Sequence, residues 1–103
     1  MKSIVWGRTI ENAARKLEEI EYSYKKYSTA TLEHKIKSKN RCELIYTNGD
    51  HWIALGASES ARGRKCNISY IDAGINSDII DCIIKPSTSA GPYQGFHYYY
   101  DFV

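Results

Sequence analysis

Apolar and polar positions along the chain follow two distinct periods, and together they predict a mixed α/β domain. Lys2-Ser-Ile-Val-Trp6 reads as a short, largely buried strand closed by Gly7. From Ile10 the spacing changes to three and four. Ile10, Ala13, Ala14, Leu17, Ile20, Tyr24 and Tyr27 form one stripe over about five turns of helix. Arg15, Lys16, Glu18, Glu19, Lys25 and Lys26 take the opposite face. Thr9 is placed to cap this helix, with Glu11 in its first turn, where an acid meets the positive end of the helix dipole. The stripe predicts a helix over about 9–27.

Small hydroxylated residues from Ser28 to Thr31 then read as a loop. Leu32 to Ser38 alternates weakly and reads as an edge strand, its lysines discouraging edge-to-edge pairing. Two runs of strand formers, Arg41–Thr47 and Asp50–Leu55, flank Asn48-Gly49 and predict a β-hairpin with a type I′ turn. A polar loop with a basic end follows (Gly56 to Lys65), then a buried strand, Asn67 to Asp72. Residues 76–84 fit either a short helix, with Ser77 as cap and Ile79, Ile80, Ile83 and Ile84 inward, or a strand; periodicity does not separate the two. From Pro86 the chain is rich in Ser, Thr, Gly and Pro, and then strongly aromatic. The expectation is a single domain over 1–103, with a mixed sheet covered on one face by the long helix.

Composition narrows the class. A hydrophobic fraction of 43% is too high for a disordered chain, and no apolar run approaches the ~20 residues that cross a bilayer. The N-terminal MKSIVWGRT has no apolar signal stretch, so a cytoplasmic protein is expected, without a membrane role. Cys42, Cys66 and Cys82 are odd in number and widely spaced, which fits reduced, mostly packed thiols. Net charge is only +2, but it is uneven. Residues 22–65 carry nine Lys/Arg against four Asp/Glu, whereas residues 66–103 carry one against four. Only the middle of the chain has a long-range attraction for polyanions.

Candidate chemistry is sparse. His34, His51 and His97 sit on separate predicted elements in no zinc-like spacing. Asp72, Asp78 and Asp81 would gather around a magnesium ion only if residues 76–84 fold back over a strand end; the same acids fit a helix N-terminus and a strand-terminal turn at Ala73-Gly74. Arg62, Arg64 and Lys65 surround Gly63, an arrangement able to grip phosphate oxygens. Lys35, Lys37 and Lys39 would extend that patch if their strand lies alongside. Six of the thirteen aromatics fall in the last eleven residues: Tyr93, Phe96, Tyr98, Tyr99, Tyr100 and Phe102. Consecutive tyrosines on a strand point to both faces, so part of this run meets either solvent or a partner.

In order, SIVWGRTIENAARKLEEI, LIYTNGDHWIALGA, SESARGRK, NISYID and STSAGPYQGFHYYYDF resemble the ATPase core of phage large terminases and related helicase-like P-loop proteins. The resemblance implies a P-loop-like topology and a phage or prophage setting. Two departures change what it implies about activity. No G-x-x-x-x-G-K-[ST] cradle occurs, and Asp72 is followed by Ala73 where the family has a catalytic Glu. Without phosphate positioning and a proton acceptor, phosphoryl transfer has little to rest on. The expectation is therefore a non-enzymatic accessory protein with no cofactor and no metal. It would act by binding a macromolecular partner, for example as an inhibitor of a host nucleic-acid-processing or defence complex of the anti-CRISPR kind. A phosphate-gripping nucleic-acid module associated with DNA packaging is the alternative. Tyr93, Phe96, Tyr98, Tyr99 and Tyr100 are the expected partner-binding residues; self-association is left open.

Overall fold

Strand β1 (Lys2–Gly7) runs through the middle of the sheet, and its side chains alternate between two buried faces. The computed structural model describes residues 1–39, 41–58, 65–88 and 96–100. Within them, helix α1 (Ile10–Tyr27) is followed by β2 (Leu32–Lys37), β3 (Cys42–Tyr46), β4 (His51–Gly56) and β5 (Ile68–Asp72). Three short helical turns come next: α2 (Ser77–Ile79), a π-helical turn (Ile80–Ile84) and α3 (Lys85–Thr88). Strand β6 (Phe96–Tyr100) completes one six-stranded sheet in the order β2-β3-β4-β1-β5-β6. Strands β4, β1, β5 and β6 run parallel, while β3 runs antiparallel to both of its neighbours.

The pleat separates two cores. Val5, Trp52, Ala54, Leu44 and Tyr46 face α1, where they bury Ala13 and Leu17. Ile4, Trp6, Ile53 and Ile71 face the other way and meet Ile83 and Ile84. The sheet is thus covered on both faces. Sequence periodicity foresaw α1 but left the second layer undecided. That segment is helical and is capped by Asn76 rather than Ser77, the Asn76 side chain accepting from the Asp78 N–H. Pro86 has no N–H to give the carbonyl four residues back, and the turn before it is widened, the Lys85 N–H reaching Ile80 O. A buried chain of hydroxyls fixes this layer to β1 and β5. Trp6 Nε1 donates to Ser69 Oγ at 2.9 Å, Ser69 and Thr88 hydroxyls meet at 2.7 Å, and Thr88 donates to Ile84 O.

Helix α1 begins as expected, with Thr9 Oγ1 accepting from the Asn12 N–H, a cap worth about 1 kcal/mol. Its stripe ends one turn early. Tyr27 is exposed rather than inward, and Lys26 lies over its ring. The hairpin departs from a type I′ turn. Only Gly49 has positive φ (93°), Tyr46 N–H bonds Asp50 O, and Gly49 N–H bonds Tyr46 O. Three residues, Thr47 to Gly49, make the loop, the geometry of a type I turn closed by a left-handed glycine.

Gly7 joins β1 to α1 where the two backbones nearly touch. A Cβ at this position would lie 2.5 Å from Ala13 N and 2.6 Å from Thr9 O, both backbone atoms that cannot yield singly. Gly7→Ala should therefore cost about 3 kcal/mol or more in urea unfolding. Gly49→Ala, where nothing lies within 4 Å and only positive φ is at stake, should cost nearer 1 kcal/mol. Equal losses at the two positions would contradict the close approach of strand and helix.

Candidate partner-binding site

An aromatic band crosses the α1-facing side of the sheet. Tyr24 of α1 stacks on Tyr46 with centroids 4.0 Å apart, and its edge meets Trp52 at 6.1 Å. Trp52 reaches Tyr70 at 5.2 Å, diagonally across β1, where Ser3 is the partner of Trp52 and Val5 the partner of Tyr70. Tyr70 then stacks on Tyr98 (5.3 Å) and Tyr100 (5.8 Å) of β6. Helix α1 lies mainly over β4, β1 and β3, so it covers the first half of this band and leaves the second half at its flank. Tyr46 and Trp52 are buried, Tyr70 is half-buried, and Tyr98 and Tyr100 are 42% and 41% exposed. The Lys16 ammonium sits 5.2 Å from the Tyr100 ring centroid, a cation held over the end of the band.

Strand β6 lies at the edge of the sheet among the described residues. Its other face carries Tyr99, 51% exposed, beside Lys85, whose ammonium is held by Asp81 at 3.1 Å. Burial, with Lys85 nearby, pushes the His97 imidazole below its ordinary range. Tyr98, Tyr99 and Tyr100 thus share an edge strand, Tyr98 and Tyr100 on the α1-facing side and Tyr99 on the other. Tyr93 lies outside the described residues, as does the side chain of Phe96.

Among the described residues, the lysines of β2 and Lys65 do not come together. Strand β2 is at the opposite edge of the sheet, and β3, β4 and β1 separate it from β5, which Lys65 precedes. Lys35 and Lys37 face α1, where they pair with Glu21 (2.7 Å) and Glu18 (2.9 Å). The hydrogen bond between Lys37 and Glu18 raises the lysine and lowers the carboxyl from their ordinary values, so each keeps the other charged. Lys39 and Lys65 are exposed, and Arg62 and Arg64 lie outside the described residues. The three acids also go separate ways. Asp72 is buried, accepts from Arg8 Nε at 3.2 Å and from the Gly74 N–H at 2.8 Å, and so closes the turn after β5. Asp78 sits in the first turn of α2, and Asp81 pairs with Lys85. Among the described residues no group of His, Cys, Asp and Glu is arranged to hold a metal ion. Cys42 and Cys66 are buried thiols, while Cys82 is exposed.

One polar cluster escaped sequence reading. Glu43, buried on the sheet face away from α1, receives Arg41 Nε and lies 2.7 Å from His51 Nε2. The two residues share a face because the three-residue turn sets Ile45 opposite His51 and Glu43 opposite Ile53. A two-residue turn would have placed them on opposite faces.

No protein-family profile, curated protein or solved structure matches this chain. No helix among the described residues is long and apolar enough to cross a membrane.

The Glu43 cluster makes a pH prediction. Burial pushes the carboxyl up, but hydrogen bonds from Arg41 and His51 outweigh it, and the folded pKa is below the ordinary 4.5. A lowered carboxylate pKa contributes stability above the unfolded value, and that contribution is lost as pH falls through the folded one. The urea midpoint of the native protein should therefore fall between about pH 5 and pH 3, and that of Glu43→Gln should fall less. Parallel profiles would show that the cluster carries no net stabilisation.

Proposed function

We propose that this protein works by binding rather than by chemistry. In this reading it is a phage-type accessory protein that docks a protein partner on the tyrosine-faced edge formed by β5 and β6. The observation that carries the proposal is the exposure of three consecutive tyrosines, 42%, 51% and 41%, on an edge strand whose rings continue an internal aromatic stack. Tyrosine suits such a role: a large ring buries area at small entropic cost, and the hydroxyl keeps a hydrogen bond. Stacking on Tyr70 holds Tyr98 and Tyr100 in place before any partner arrives, which lowers the ordering cost of association. As the edge strand among the described residues, β6 also presents a side along which a partner's strand can pair.

Two features support the non-enzymatic part. The connection from β1 to α1 consists of Arg8 and Thr9 alone, with Gly7 packed against Ala13, which leaves little backbone to wrap a phosphate. Asp72, the acid that the terminase resemblance would assign to magnesium, is occupied by Arg8 and the Gly74 N–H. The phage setting and the role as inhibitor of a host nucleic-acid-processing or defence complex rest on that resemblance and on the missing phosphate cradle.

The test is affinity capture from bacterial lysate with the native protein and with a Tyr98→Ser/Tyr100→Ser variant, alongside Lys35→Ala/Lys37→Ala. A partner held by the native chain should be retained by the lysine variant and lost, by at least about tenfold, from the tyrosine variant. Retention by the tyrosine variant would remove the proposed surface. If instead naked DNA or RNA binds with a steep salt dependence that Arg62→Ala and Arg64→Ala reduce, the nucleic-acid module replaces the protein-binding reading.

A further inference from the structure

The turn between β3 and β4 holds the only Asn-Gly pair in the chain, Asn48-Gly49. An asparagine side chain can react with the backbone nitrogen that follows it, and a glycine there has no Cβ to shield that nitrogen. Asn48 and Gly49 are both exposed, and nothing lies within 4 Å of the place a Cβ would take on Gly49. The reacting atoms can therefore move without disturbing either core.

The Asn48 side chain is already folded over the nitrogen it would meet. Its Oδ1 accepts from the Asp50 N–H at 3.0 Å, so the side-chain carbonyl reaches across the Gly49 peptide. The same N–H opposes the negative charge that Oδ1 gains when its carbon is attacked. Nδ2, the leaving group, donates to Asp50 Oδ2 at 3.1 Å, beside a carboxylate that favours its protonation. One contact opposes the reaction, since the Gly49 N–H is held by Tyr46 O at 3.0 Å. Breaking one exposed hydrogen bond slows the reaction by no more than about tenfold.

We propose that Asn48 is a site of spontaneous deamidation in the folded protein, and that the change weakens the joint between the hairpin and α1. Gly49 N gives its proton to water and bonds to Asn48 Cγ. The Cγ–Nδ2 bond breaks, and the nitrogen takes up a proton and leaves as ammonia. Water then opens the cyclic imide at either carbonyl, leaving aspartate or isoaspartate at position 48. No oxidant or cofactor is consumed.

Either product carries a new carboxylate beside Asp50 in place of the donating amide. Asp50 Oδ2 also accepts from the Tyr24 hydroxyl at 2.6 Å, the link from this turn to α1, while Oδ1 lies 3.6 Å from the Met1 ammonium. Two carboxylates sharing that position repel one another at neutral pH. Isoaspartate also lengthens the backbone of the three-residue loop that sets the β3–β4 register. The site is independent of the tyrosine-faced edge, and either can fail without the other.

The native protein and the free peptide LIYTNGDHWI are kept side by side at mildly alkaline pH and body temperature, and position 48 is followed by peptide mass spectrometry. Aspartate and isoaspartate should accumulate in the folded protein at a rate within about tenfold of the peptide, before Asn12, Asn40, Asn67 or Asn76 changes. Asn48→Gln, which would have to close a larger ring, should stay unmodified. Asn48→Asp, a stand-in for the aspartate product, should melt about 4 °C or more below the native protein at neutral pH, with the deficit shrinking as pH falls through the carboxylate range. An intact Asn48 once the peptide has converted fully, or earlier conversion of another asparagine, would overturn the site. An unchanged melting temperature in Asn48→Asp would overturn the loosening of the joint.

Discussion

The complete burial of β1 is the constraint on which the rest of the structure depends. Ile4, Val5 and Trp6 are three successive side chains at 0% exposure, so both faces of this strand must be covered and both edges paired. Parallel pairing to β4 and β5 satisfies the edges; α1 and the α2–α3 layer satisfy the faces. Burying side chains of this size is worth about 1.5–3 kcal/mol each. A parallel strand cannot be reached by a tight turn, so each pairing requires a crossover, and the crossovers are what deliver the covering layers. The polar chain from Trp6 through Ser69 and Thr88 adds direction to that packing, since apolar contacts alone would tolerate a slide of α3 along the sheet.

From this centre the character of the sheet changes toward its two edges. On one side β3 and β2 turn back antiparallel, and the lysines of β2 are tied to glutamates of α1, which makes that edge charged but locally neutral. On the other side β5 and β6 continue parallel at the flank of α1, which reaches them through Lys16 over the Tyr100 ring, and the side chains exposed there among the described residues are aromatic. The same tyrosine ladder therefore serves as core near β4 and as surface at β6. Its exposed half is continuous with rigid, buried rings, which separates it from isolated surface tyrosines such as Tyr22 and Tyr27 on α1.

Local periodicity carried α1, β1 and the placement of the hairpin, because those features depend on residues within a few positions of each other. It did not carry the turn. Thr47 joins Asn48-Gly49 in a three-residue loop, and that single residue moves His51 to the face of Glu43; the Arg41–Glu43–His51 cluster was hidden behind one step of register. Ile79, Ile80, Ile83 and Ile84 were ambiguous because a short apolar run satisfies either period, and the π-turn ahead of Pro86 depends on a missing N–H that hydrophobicity does not report. Alternation at positions 98–100 implied that part of the run meets solvent or a partner without saying which ring does, and the stacking on Tyr70 was hidden, since parallel β5–β6 pairing joins residues about thirty apart. Whether the β2 strand would lie beside Lys65 was hidden for the same reason, and it does not: strand order is a long-range property.

The central claim, that the β5–β6 edge is the working surface, is tested most directly by hydroxyl-radical footprinting of the protein alone and in complex with the partner it captures. Free in solution, the rings of Tyr98, Tyr99, Tyr100, Tyr22 and Tyr27 should all be modified readily. In the complex, the account predicts protection of Tyr98 and Tyr100 while Tyr22 and Tyr27 stay as reactive as before. Undiminished modification of Tyr98 and Tyr100, with protection appearing on α1 or β2, would contradict it.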